Sequence, residues 1–257
     1  MMKKFNQVLL LGLFAIVLSF PAINAQDMSV HIYRRVAPEN MQEYLKRETT
    51  YWQKFAESEI KKGNMTFWAV FQKVGGINLE ESPNIMIINS FKDLDTEINW
   101  AGIADLFPNV KMEDIETGGL AVNTDQIFVQ DLPNHTQVDN PDFNYVRIIY
   151  HNVKNANRHL TIESEQWKPM LQKAMKEGKT TMQGWGNGVI LAPESRFFPY
   201  STYSYDLFSS LQAALSPAFS DDFSVSQEFM DAMTENNNGP RSATVYRIVA
   251  AATGGGE

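Results

Sequence analysis

The stretch Glu48-Thr49-Thr50-Tyr51-Trp52 returns as Glu163-Ser164-Glu165-Gln166-Trp167, 115 residues later. The same offset carries Gly63 onto Gly178 and Thr66 onto Thr181, and each glycine stands eleven residues after its Trp. An aromatic-bearing segment follows each, with Trp68 in the first copy and Trp185 in the second. Self-similarity at a fixed offset constrains architecture before any local reading. It predicts two units, residues 26–131 and 144–252, joined by a polar Pro/Asn/Asp linker at 132–143 and followed by a short flexible tail, 253–257.

Outward from the repeat, each unit reads in the same order. Val30, Ile32 and Val36 alternate with polar neighbours, a strand pattern. From Glu39 to Lys62 the period becomes helical, with Met41, Tyr44, Leu45, Trp52, Phe55 and Ile60 on the apolar stripe. Gly63 is placed to cap it after Lys61 and Lys62. Strands are expected at 65–74 and 85–91 around a turn marked by Gly75, Gly76 and Pro83, then a helix at 93–105 and a strand at 122–129. The second unit repeats this with strands at 145–153, 182–191, 198–205 and 243–251. Its helices fall at 157–177, 207–215 and 224–235, and Pro169 predicts a kink or break in the first of these. Each unit is therefore β-α-β-β-α-β, the split βαβ or ferredoxin-like pattern. Such a sheet has one face left to cover, and a second copy covers it. The fold class is α+β: two tandem ferredoxin-like units closing a pseudo-dimeric α/β barrel.

The first 25 residues read as an export signal. Lys3 and Lys4 precede a 13-residue apolar run from Val8 to Phe20, and Ala25 offers a cleavage site. The run falls short of the roughly 20 residues that span a bilayer. The expected location is periplasmic or extracellular, with no stable membrane insertion after cleavage. Removal of Lys3 and Lys4 from 22 basic residues leaves 20 against 30 acidic ones, a net charge of −10. That balance argues against nucleic acid as a partner. The chain has no cysteine, which excludes disulfides, thiolate nucleophiles and cysteine metal sites.

Glu48 and Glu163 interrupt apolar helical stripes, where a carboxylate is costly unless paired or protonated. Either could be a proton acceptor with a raised pKa, and either could be a structural group bonded to Arg34, Arg35 or Arg147. His31 and His151 lie on the first strands of the two units and complete the catalytic candidates. No two histidines have HxH or HxxxH spacing, so no metal site is expected. Trp68, Trp185, Tyr33 and Tyr203 are the candidate ligand-binding aromatics, and Trp52 and Trp167 are expected in the core. Gly184-x-Gly186-x-Gly188 lies in a strand with the wrong spacing for a dinucleotide fingerprint, and marks a bulge or a close backbone approach.

The run Glu163 to Pro169, with Gly178 and Trp185, resembles the helix-and-strand core of secreted bacterial proteins of the dimeric α/β-barrel superfamily. The first unit resembles a more divergent copy, with Gln53-Lys54 in place of Lys168-Pro169. The resemblance implies a barrel, and a choice among cofactor-free monooxygenases, haem-handling proteins and members without assigned chemistry. Three functions follow. The first is an exported binding or accessory protein, a monomer or homodimer, for an apolar or aromatic small molecule. The second is a cofactor-independent monooxygenase acting on an aromatic substrate. The third is haem binding or degradation, with His31 or His151 as axial ligand. No cofactor is expected under the first two.

Overall fold

The computed structural model describes residues 27–75, 82–193 and 198–254. The expected export signal at 1–25, most of the turn after Gly75 and the last tail residues lie outside the described residues.

The first half runs β1 (Met28–Val36), α1 (Met41–Arg47), a π-helical turn (Glu48–Trp52), α2 (Gln53–Lys62), β2 (Phe67–Lys73), β3 (Ile85–Phe91), α3 (Ile103–Leu106), α4 (Met112–Ile115) and β4 (Ala121–Asp131). A two-residue strand, β5 (Thr136–Gln137), sits in the linker. The second half runs β6 (Tyr145–His151), α5 (Ala156–Ile162), a π-helical turn (Glu163–Trp167), α6 (Lys168–Lys176), β7 (Gly184–Ala192), β8 (Thr202–Phe208), α7 (Leu211–Leu215), α8 (Gln227–Asn236) and β9 (Ser242–Thr253).

All strand pairs are antiparallel, in the order β4-β1-β3-β2-β9-β6-β8-β7, and β4 pairs with β7 to close eight strands into a barrel. The order within the first half, β4-β1-β3-β2, is repeated in the second as β9-β6-β8-β7. Pleating sends alternate residues to opposite faces. Tyr33, Ala69, Phe71, Met86, Ile127, Val129, Val146, Ile148, Tyr150, Ile190, Tyr203 and Tyr246 fill the barrel interior from all eight strands. The outer face of each half packs under its own helices, with Val36, Tyr44, Trp68 and Ile87 in one layer and Leu171, Trp185 and Phe208 in the other. Fully burying one such side chain stabilises by about 1.5–3 kcal/mol.

The glycine strand has a steric reason. A Cβ on Gly186 would overlap the Tyr205 ring, and one on Gly188 would overlap Tyr203 and the Gln130 carbonyl. The bare backbone of β7 thus admits two rings of β8 into the interior.

Three expectations need correcting. The helix placed at 93–105 is helical only at its end, as a 3-10 turn Trp100–Gly102 and then α3. Asp93 Oδ1 instead caps the Asp95 amide at 2.9 Å, a turn-forming bond that competes with helix. The strand placed at 198–205 begins at Thr202 and runs to Phe208, so the helix expected from Leu207 starts at Leu211, where Ser210 caps it. The break foreseen at Pro169 takes the form of the π-turn just before it. That turn has the same place in the first half, where Gln53-Lys54 stand instead, so proline is not its cause.

Candidate functional site

The two equivalent glutamates open the two π-turns, and the amides of Gln53 and Lys168 reach back to their carbonyls. Both side chains point at the outer face of the sheet and both are buried. Their surroundings differ.

In the first half Arg34 rises from β1. Its Nη1 lies 3.4 Å from Glu48 Oε1, and donates to Tyr44 Oη at 2.9 Å and Thr117 Oγ1 at 3.2 Å. Burial raises the Glu48 pKa, and Arg34 opposes the rise. Glu48 is thus ion-paired with Arg34, one of the arginines named as its possible partners.

In the second half the 115-residue offset puts His159 where Tyr44 stands, His151 where Val36 stands, and Ile149 where Arg34 stands. The cation is gone and two imidazoles have arrived. Asn187, on the outward side of β7, donates to Glu163 Oε2 at 2.7 Å. His159 Nε2 is 3.4 Å from Glu163 Oε1 without forming a hydrogen bond. His151 Nε2 is 2.9 Å from Ser204 Oγ, and the two imidazole rings lie 4.6 Å apart. Ligand atoms of His151, His159 and Glu163 lie within 4.8 Å of one another, and all three residues are buried. His159 Nε2 and Asn187 Oδ1 have no hydrogen-bond partner, although burial makes an unmade bond expensive. Burial lowers the His151 pKa to about 4 against the pull of Glu163, so its ring is neutral at pH 7. Next to this cluster Asp206 pairs with Arg147 at 2.5 Å, and burial still pushes its carboxyl up to about 6.

The other candidates fall elsewhere. His31 and Tyr33 point into the barrel. The His31 ring lies edge-on to Tyr203, its Nδ1 is unpartnered, and burial lowers its pKa to about 3. The Tyr33 and Tyr150 hydroxyls bond each other, and Tyr203 donates to Asp131, which also accepts from Ser29 at 2.6 Å. Trp68 and Trp185 are core residues of the two helix-on-sheet layers, 3% and 1% exposed. Trp52 and Trp167, expected in the core, are the half-buried pair. Trp52 packs on Phe55 and Trp100, and Trp167 stacks on Phe229. Two surface clefts, of about 470 and 220 Å³, are lined by residues such as Tyr145 and Arg247, and Phe55 and Asn99. None of the eight sequence candidates lines either cleft. His31 and His151 are enclosed by packed side chains, which does not fit an axial ligand beside a flat macrocycle.

Sequence reading found Glu163 and His151 but passed over His159, Asn187 and Ser204. The one local signal was the four-residue step from His159 to Glu163, which stacks two side chains on a helix face. Among the described residues no helix is long and apolar enough to cross a membrane.

No protein-family model and no curated protein sequence matches the chain. Solved structures do. A candidate monooxygenase of Lactobacillus acidophilus NCFM superposes with a TM-score of 0.54 at 14% identity, over 90% of this chain and 97% of that one. An anthrone oxidase-like protein gives 0.55 at 10% identity, over 91% and 95%. A candidate monooxygenase of Fusobacterium nucleatum subsp. nucleatum ATCC 25586 gives 0.52 at 11% identity, over 90% and 95%. At such identities the likeness is one of fold alone, a dimeric α/β barrel.

Proposed function

We propose that this chain is an exported, single-chain α/β barrel of two tandem ferredoxin-like units, 26–131 and 144–252. Its second unit carries out oxidative chemistry on an apolar or aromatic small molecule. One observation carries the reading: of two equivalent buried glutamates, Glu48 is neutralised by Arg34, whereas Glu163 faces two imidazoles and an amide with unpartnered atoms. A carboxylate held ready in a low-dielectric layer suits proton abstraction from a weakly acidic C–H or O–H. The electron-rich carbanion so formed would reduce dioxygen, the co-substrate, forming a C–O bond to a peroxide anion. Glu163 would return its proton to that peroxide, whose O–O bond then breaks, releasing water as the carbonyl forms. The likeness in fold to candidate monooxygenases and to an anthrone oxidase-like protein supports the reaction class by analogy. The enclosure of the cluster requires α5 and its π-turn to move off β7 and β8 for a substrate to enter.

Oxygen consumption with anthrone and small quinols tests the proposal. Glu163→Gln should abolish uptake while the melting temperature stays near that of the parent. Glu48→Gln should lower the melting temperature and leave the turnover of the folded fraction intact. Equal loss of stability in both variants, with no uptake by the parent, would remove Glu163 from catalysis. Ligand-induced thermal stabilisation without uptake would favour binding alone.

A further inference from the structure

The donor set of the second-half cluster goes beyond proton transfer. Two imidazoles and one carboxylate converge within 4.8 Å, and the Asn187 amide oxygen beside them has no partner. Among the described residues this is the one group of three or more His, Cys, Asp or Glu side chains with such convergence. Charge accounting sharpens the point. Glu163 lies in a buried layer in which, unlike in the first half, no arginine pairs with the glutamate. A buried carboxylate needs a compensating positive charge. His159 Nε2 stands 3.4 Å from Glu163 Oε1 without forming a hydrogen bond.

That same 3.4 Å is the edge of another figure. Ligands at about 2.0–2.1 Å around a tetrahedral divalent ion stand roughly 3.3–3.4 Å from one another. His159 Nε2 and Glu163 Oε1 already sit at that spacing, and a modest contraction brings in His151. The surrounding bonds are those a metal site uses to aim its ligands. Asn187 Nδ2 orients the Glu163 carboxylate at 2.7 Å, and Ser204 holds the His151 ring at 2.9 Å. Absence of thiolates and presence of nitrogen and oxygen donors select a borderline first-row divalent ion, with Zn²⁺ the best match to a four-coordinate site.

We infer that the second half binds one divalent transition-metal ion through His151, His159 and Glu163, with the Asn187 amide oxygen as the fourth donor. The inference rests on the donor set alone and stands whether or not the barrel turns over a substrate.

The test uses the full mature chain, stripped with chelator and titrated with Zn²⁺ and Co²⁺. The expected result is one equivalent of either ion, with the intense visible bands of four-coordinate Co²⁺. Zn²⁺ should raise the melting temperature, because it binds the folded state preferentially. His159→Gln and Glu163→Gln should each weaken binding by at least about 100-fold, while Glu48→Gln, in the other half, should not change it. Should the ligand variants fail to fold, X-ray absorption of the Zn²⁺-loaded parent decides, by showing or lacking the scattering of two imidazoles. Folded parent protein that binds no ion, or variants that bind as tightly as the parent, would overturn the inference. Oxygen uptake persisting in stripped protein that takes up no metal would overturn the metal site and leave the oxidative reading intact. Stoichiometric binding without any uptake would do the reverse.

Discussion

Replacing Asp206 with Asn sets burial against ion pairing and asks which wins. Asp206 lies on the outer face of β8, 4% exposed, and accepts from Arg147 Nε at 3.0 Å and Nη2 at 2.5 Å. Pairing alone would hold its pKa below the ordinary 3.8, yet burial raises it to about 6. The folded chain therefore keeps a proton that the unfolded chain releases. Well below pH 3.8 both states are protonated and the site is at its most favourable. As pH rises past 6 the folded state must carry a buried charge, and the difference amounts to about 3 kcal/mol. An asparagine matches the neutral acid in shape and never ionises. Asp206→Asn should thus gain stability relative to the parent as pH rises, by about 2 kcal/mol between pH 4 and pH 7. Denaturant melts of both proteins at pH 4, 5, 6 and 7 measure the double difference directly, and titrations common to the two chains cancel. A flat double difference, or one in which the parent gains with pH, would show that Arg147 outweighs desolvation and would refute the reasoning.

Other outcomes follow from the same geometry. Gly186→Ala drives a methyl group into the Tyr205 ring and should cost about 1–3 kcal/mol in chemical denaturation. Coupling it with Tyr205→Leu should recover part of the loss. His31 is held neutral inside the barrel with its pKa near 3, so its contribution is complete above pH 6.5 and is lost as pH falls towards 3. His31→Gln should flatten the acid limb of a thermal-stability profile over that window. Asn155 caps α5 by accepting from the Arg158 amide at 2.9 Å, and α5 carries His159. Asn155→Ala should cost about 1 kcal/mol and weaken any activity or metal binding at the second-half cluster beyond what stability alone explains, read by comparing binding below the melting transition.

Much of the architecture was written in short-range patterns. Ile85–Phe91 appears as a strand at the bounds its apolar run implies, and Gly63 and Gly178 take the left-handed conformation that ends each long helix. Tyr33 and Tyr150 alternate inward as their parity demands. The π-turns were not legible, because a five-residue hydrogen-bonded turn has no composition of its own. The segment 93–105 misled because Leu94 and Ile98 stand one helical step of four apart, while Asp93 satisfies the backbone locally instead. The site was half legible. A glutamate within an apolar stripe announced itself in both halves, but its partners come from strands whose pairing brings Arg34 to one copy and His151 and Asn187 to the other. The Trp pairs exchanged expectations for a related reason. Trp68 and Trp185 lie on the helix-covered face of the sheet, whereas Trp52 and Trp167 lean towards the rim of their helices.

Two hydroxyl bonds inside the barrel join opposite halves: Tyr33 with Tyr150, and Tyr203 to Asp131. A fragment comprising residues 26–131 alone would leave those polar atoms stranded and two rows of backbone amides open along β2 and β4, an invitation to self-association. Mixing the two separately produced fragments should instead restore each lost bond with its proper mate. The molecule is in that sense a heterodimer written as one polypeptide, and its halves are no longer free to find partners like themselves.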